Sequence, residues 1–259
     1  MRTNILNFTE KKITLCLILL SIVCVSLFSA CKRDENDPVK NSSSITPNNL
    51  LSAAKYDKLV VEIQCLTGSE PTTATLDNLK LFLEQRLNKP GGITIVKNII
   101  SILGKANYSL ADIEMLEKNN RTQGVSGSTV SAYVLFVDGD YAGNSGGGKV
   151  LGIAYGATSM AMFGKTIKEF SGGLGKPSAT ALETTVIKHE FGHILGLVNN
   201  GTAMQAPHQD AAHGGHCNNK DCLMYYTAET SDIIANLLTG SVPDLDAACI
   251  NDLKGNGGK

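Results

Sequence analysis

The chain has 259 residues, of which 42% are hydrophobic, 18% charged and 5% aromatic with no Trp. That is enough to bury one sizeable core, and the composition is neither disordered nor collagen-like. Its 23 basic and 24 acidic side chains leave a formal charge of -1. With no Lys/Arg run to hold a phosphate backbone, nucleic-acid binding is argued against.

Lys11 and Lys12 precede an almost unbroken apolar run from Ile13 to Phe28, closed by Ser29, Ala30 and Cys31. A charged start, an apolar middle and a small-residue exit mark residues 1–30 as a secretory signal, short of the roughly 20 residues a permanent span needs. Phe28-Ser29-Ala30-Cys31 resembles a bacterial lipobox, with Phe28 where Leu is commoner. The resemblance implies a lipid on Cys31 and an exported chain anchored to the bacterial outer membrane. Lys32-Arg33-Asp34-Glu35-Asn36-Asp37 is similar to the acidic tag of Bacteroidetes lipoproteins displayed at the cell surface. Residues 31–54, rich in Asn, Ser and Pro, read as lipidated cysteine and tether, and 55–259 as one domain.

Alternation of Leu59, Val61, Ile63 and Cys65 with Val60, Glu62 and Gln64 predicts a strand. Leu76, Leu79, Leu83 and Leu87 recur at helical spacing over 75–88, which ends before Pro90. Ile93 to Ile102 is apolar and β-branched, a second strand. Ser109-Leu110-Ala111-Asp112 is a capping signature opening a helix to Lys118. Val130–Val137 and Val150–Tyr155 are strands around a glycine-rich turn. In that turn, Gly143 to Lys149 matches phosphate-loop spacing, but Val150 stands where Ser or Thr would ligate magnesium, so no nucleotide is expected. The order predicts an α/β (α+β) domain with a mixed twisted sheet, a long helix and a small, mainly helical C-terminal part. The expected division is an upper part over 55–197 and a lower part over 198–259.

The long helix carries the chemistry. Thr180-Ala181-Leu182-Glu183 reads as a capping box opening a run to Gly196, and within it lies His189-Glu190-Phe191-Gly192-His193. Histidines four apart project from one helix face about a turn apart, close enough to grip one zinc ion. Glu190 is placed to hold a water against the metal and take its proton. Gly196 can end the helix and swing the chain back. Further on come His216-Cys217, Cys222, Met224 and Tyr226.

These residues resemble the metzincin clan of zinc peptidases, whose pattern is His-Glu-x-x-His-x-x-Gly-x-x-His above a methionine turn. The segment Cys217-x4-Cys222-x-Met224 is most similar to archaemetzincins, in which the third histidine directly precedes the first cysteine, as His216 precedes Cys217. The resemblance covers residues 180 to 226. It implies a metzincin-like catalytic domain, Met224 beneath the metal, His216 as third ligand, and Tyr226 as a hydrogen-bond donor to the oxyanion. It departs at Asn199, which holds the usual third-ligand position, and in about 17 extra residues before His216. His208, Asp210 and His213 in that insert therefore stay open as third ligands, as does Glu229 downstream. A later Cys-x-x-Cys of archaemetzincins, which completes a second structural zinc site, is represented here by Cys249 alone.

With Cys16 and Cys24 in the signal, Cys65, Cys217, Cys222 and Cys249 remain, and an oxidising compartment favours two disulfides. The expected pairs are Cys217 with Cys222 and Cys65 with Cys249; a Cys-rich second zinc site is the rival. The expectation is a monomeric zinc-dependent endopeptidase with one catalytic Zn2+, acting on a peptide or protein laid along the edge strand near Val150–Tyr155. The competing class is a surface lipoprotein that binds zinc without turnover.

Overall fold

The strand expected around Leu59–Cys65 forms as β1 (Lys58–Leu66), an inner strand of the sheet in the computed structural model, which describes residues 45–145, 148–238 and 242–259. The signal, Cys31 and the tether up to residue 44 lie outside the described residues. Flanking β1 in parallel are β2 (Gly92–Ile100), with Lys58 opposite Gly92, and β4 (Thr129–Val137), with Lys58 opposite Thr129. β7 (Ser159–Phe163) adds in parallel to β4, and β6 (Gly152–Tyr155) closes the edge antiparallel to β7. The order is β2-β1-β4-β7-β6, a mixed, mainly parallel sheet. A two-residue pair, β3 (Asn107–Tyr108) and β5 (Asp140–Tyr141), stands apart.

Period-two alternation divides the side chains of the sheet between two cores. Leu59, Val61, Ile63 and Cys65 face α2 (Thr73–Arg86) and α5 (Ala179–Ile194) in the larger core, together with Val134, Phe136, Met160 and Met162. Leu66, Tyr133, Leu135, Val137 and Phe163 face the other way, toward Tyr108 and Ile113 of α3 (Leu110–Asn120). β7 escaped the sequence reading because all five of its residues are buried, so no alternation marks it. α4 (Gly164–Glu169) follows it directly. Among the described residues, the lower part consists of turns, two 3₁₀ turns (Tyr226–Glu229 and Ser231–Ile233) and two short helices, α6 (Ile234–Leu237) and α7 (Ala247–Gly255).

Two local expectations change. The tether does not extend over its last residues: Pro47–Leu51 form a short helix, α1, and Ile45, Leu50 and Leu51 sit in the larger core. Their apolar side chains outweigh the polar composition around them. The capping box at the start of α5 is displaced as well. Ser178 is the cap, accepting from Ala181 N–H at 3.1 Å, while Glu183 reaches across to Thr75 Oγ1 at 2.6 Å and Thr72 N–H at 2.9 Å. That bond ties the start of the long helix to the start of α2. The cap on α3 forms as read, with Ser109 and Asp112 bonding reciprocally.

Candidate metal centre

Helix α5 crosses beneath the edge strand and buries His189 and Glu190 completely. His189 Nδ1 donates to the Leu223 carbonyl at 2.8 Å, which leaves the Nε2 lone pair as the ligating atom. His193 Nε2 lies 3.0 Å from His189 Nε2. After Leu195 the chain turns left-handed at Gly196 (φ 76°), where a Cβ would meet Thr202 N at 2.6 Å and Pro47 Cγ at 2.7 Å. Val198 and Asn199 continue in the left-handed region, and Asn199, at the usual third-ligand position, is exposed.

The extra residues form an excursion that returns to the site. Gln209 bridges Cys217, Asp210 N–H donates to the His216 carbonyl at 2.8 Å, and His216 is delivered beside the helix. Its ring stacks on His189 with centroids 5.2 Å apart and meets His193 edge-on at 4.9 Å. Of the open third-ligand choices, the structure brings His216 to the helix pair. His213 lies at the tip, bonded to Asp210 at 2.8 Å and stacked on Tyr226 at 3.7 Å. His208 turns away into a second cluster. Glu229 approaches all three imidazoles, and His189, His193, His216 and Glu229 place one donor atom each within 4.8 Å of one another.

Met224 presses on α5 from below. A Cβ at Gly192 would stand 3.0 Å from Met224 Cε and closer still to its sulfur, so the glycine between the two helix histidines is what admits the methionine. Tyr226 is half-buried and held against His213 and Tyr225; none of its ring contacts is to the three imidazoles.

The electrostatics suit metal binding. Burial, followed by the neighbouring His216, holds the His193 imidazole down at about 4, and burial with the His193 charge holds His189 well below the usual range. Both rings are thus neutral and ready to ligate at neutral pH. Burial, then the Glu229 charge, pushes the Glu190 carboxyl well above the carboxylate range, against a weaker pull from the Ala154 backbone. Among the described residues, neither Glu190 oxygen finds a side-chain partner and neither ring nitrogen of His216 makes a hydrogen bond. Orphaned buried polar atoms are costly unless a ligand satisfies them. A tetrahedral zinc with Zn–N of about 2.1 Å sets its nitrogens about 3.4 Å apart; the helix pair stands at 3.0 Å, and the donor atoms of the whole group lie within 4.8 Å of one another.

A cleft of about 430 Å³ opens over the trio, lined by Ile153 and Ala154 of the edge strand, with His193, Asn200, His216 and Glu229. The larger cavity, about 850 Å³ between α3 and Tyr155–Ser159, holds none of the histidines.

The disulfide expectations fail. Cys65, Cys217, Cys222 and Cys249 are all free and buried. Cys65 is packed in the larger core, where burial pushes its thiol up to about 12. The others converge on His208: Cys217 Sγ lies 3.4 Å and Cys249 Sγ 3.9 Å from its Nδ1, and Cys222 Sγ lies 3.6 Å from Cys249 Sγ. Asp252 holds the far side of His208 at 2.7 Å, and Asp246 joins the group. Tetrahedral edges about zinc run to roughly 3.6–3.8 Å for sulfur with nitrogen or sulfur; the two sulfur–nitrogen distances here, 3.4 and 3.9 Å, lie on either side of that range. Position 246, three before Cys249, is Asp, so the sequence pattern hid a group that the insert completes with His208.

No protein-family model matches the chain, and no curated protein matches it. Among solved structures it is similar to the archaemetzincin of Methanopyrus kandleri, with a TM-score of 0.52 and 14% identity over 77% of this chain and 96% of that one. It also matches a zinc-dependent peptidase from Methanocorpusculum labreanum (strain Z), with a TM-score of 0.46 and 15% identity over 74% and 99% of the two chains. A third match is metalloproteinase-II from Bacteroides fragilis, with a TM-score of 0.40 and 18% identity over 78% and 54%. The chain therefore has the fold of the Methanopyrus archaemetzincin.

Proposed function

We propose that this chain is a zinc-dependent peptidase, with His189, His193 and His216 holding the catalytic ion and Glu190 acting as general base. The observation that carries the reading is Glu190: a fully buried carboxylate, with no side-chain partner among the described residues, beside three converging imidazoles. Capture of zinc alone gives no reason to keep a carboxylate there at such a desolvation cost. The archaemetzincin fold agrees with the reading.

His189, His193 and His216 would hold a zinc that, once bound, would polarise a carbonyl and lower the pKa of a water in its remaining position toward about 7. Glu190, directly after His189, takes the proton of the attacking water and passes it to the leaving amine. A peptide lies extended along the free edge of β6, where Ile153 and Ala154 offer backbone groups to pair with it. Tyr226 supplies a donor to the oxyanion. His208, Cys217, Cys249 and Asp246, with Cys222 alongside, would hold a second, structural zinc, tying Cys217, and with it His216, to α7.

Export on a lipid anchor at Cys31, with the chain at the outer membrane, belongs to the same proposal. Lys11, Lys12, the apolar run to Phe28 and the lipobox-like Phe28–Cys31 support it. The test is incubation of the zinc-loaded full chain with a peptide library read by mass spectrometry. Cleavage by the wild type, abolished in Glu190→Ala with zinc retained, is expected; zinc without cleavage in both would favour the binding lipoprotein.

A further inference from the structure

Glu229 stands at the mouth of the imidazole trio in an unusual position. Its Oε2 lies 3.8 Å from His189 Nε2, 3.8 Å from His193 Nε2 and 3.7 Å from His216 Nε2. A hydrogen bond or a single ion pair would draw the oxygen to about 2.9 Å from one nitrogen and away from the others. Instead it sits on the axis of all three. In a tetrahedral site with Zn–N of about 2.1 Å and Zn–O of about 2.0 Å, the oxygen at the fourth apex is about 3.4 Å from each nitrogen. Oε2 is thus within about 0.4 Å of that relation to every one of them.

The backbone aims the side chain. Glu229 ends the 3₁₀ turn Tyr226–Glu229, and its carbonyl accepts from Leu151 N–H at 2.8 Å. Thr230 bridges Val150, and Ser231 N–H donates to the Lys149 carbonyl at 2.9 Å. The chain is clamped beside the start of β6, whereas the side chain is 31% exposed and borders the cleft. Rotation of its side-chain dihedrals alone can take the carboxylate out of the site.

We propose that Glu229 is the fourth zinc ligand of the resting site, a carboxylate that occupies the position the attacking water needs and yields it when a peptide enters the cleft. This rests on the zinc reading above. Three neutral imidazoles bring no charge to the ion, and the Glu229 carboxylate bound directly to it would offset half of its double charge. The same bond competes with anything else that seeks the open position, so incoming ligands bind with an affinity reduced by the fraction of sites still closed.

The consequence is a pair of effects of opposite sign. In the zinc-loaded full chain, Glu229→Gln weakens zinc binding by about tenfold or more and tightens acetohydroxamate, a small zinc-directed ligand, by about fivefold or more. Zinc affinity is read by competition with a chromophoric chelator, and the zinc that His193→Ala removes marks the trio. Glu229→Asp, shorter by one methylene and still charged, changes both affinities in the same directions and serves if the Gln variant does not fold by circular dichroism. A role in packing alone would weaken both ligands together and overturn the proposal, as would two affinities unchanged within about twofold. Wild-type chain lacking any zinc that His193→Ala removes would instead overturn the metal-site reading beneath it.

Discussion

Gly152→Ala separates the geometry of the site from local backbone preference, because the two predict opposite signs. Gly152 opens β6 directly over Glu190: an added Cβ would lie 2.7 Å from Val186 Cγ1, 2.9 Å from Glu190 Oε1 and 3.0 Å from Glu190 Cγ. Ordinary carbon contacts are about 3.5–4.0 Å, so strand and helix must part by about 0.8 Å or Glu190 must turn aside. Overpacking of this kind costs about 1–3 kcal/mol, while replacing a strand glycine returns about 0.5–1 kcal/mol. The net loss of about 1–2 kcal/mol lowers Tm by roughly 2–8 °C for a domain of this size. Displacing a general base by about 1 Å lowers kcat about a hundredfold, and the three imidazoles, untouched by the new methyl, keep their zinc. Calorimetry, zinc analysis and peptide hydrolysis on the same preparation read all three quantities. A variant as stable as the wild type with undiminished kcat would refute the close packing of β6 on the helix.

Tyr226→Phe keeps the stack on His213 and removes only the hydroxyl. Kinetics should show kcat down about a hundredfold with KM and zinc content unchanged, whereas a change under threefold would leave the ring with a packing role. Glu190 gives a pH signature in the metal-free chain. Its carboxyl is raised in the folded state by burial and Glu229, so its stabilising contribution is fully present below the ordinary carboxyl pKa of about 4.3 and is lost as pH rises through the raised native value. Metal-free Glu190→Gln therefore melts above the wild type near neutral pH, and the gain vanishes toward about pH 4; a constant difference across that window would contradict the linkage.

The legible parts of the fold were those where one periodicity dominates a segment. Leu59–Cys65 alternates because one face of β1 meets the helices, and Ser109 with Asp112 marks a helix start because the cap is local chemistry. β7 was hidden by burial on both faces, and α1 by the polar residues around Leu50 and Leu51. In the site, His189, Glu190 and His193 follow from helical spacing. His216 is favoured over His208 and His213 by its place directly before Cys217, but whether the insert carries it back to the helix depends on long-range folding that no helical spacing encodes. The disulfide expectation went astray for the same reason. Counting cysteines cannot reveal that His208, 41 residues away from Cys249, comes within 3.9 Å of its sulfur.

The central claim, that one metal ion is held by His189, His193 and His216 beside Glu190, is tested most directly by crystals of the full chain grown with zinc and measured on both sides of the zinc absorption edge. The account predicts an anomalous peak about 2.1 Å from the Nε2 atoms of all three histidines. Ordered zinc confined to the His208, Cys217 and Cys249 cluster, with no peak between the three imidazoles, would contradict it.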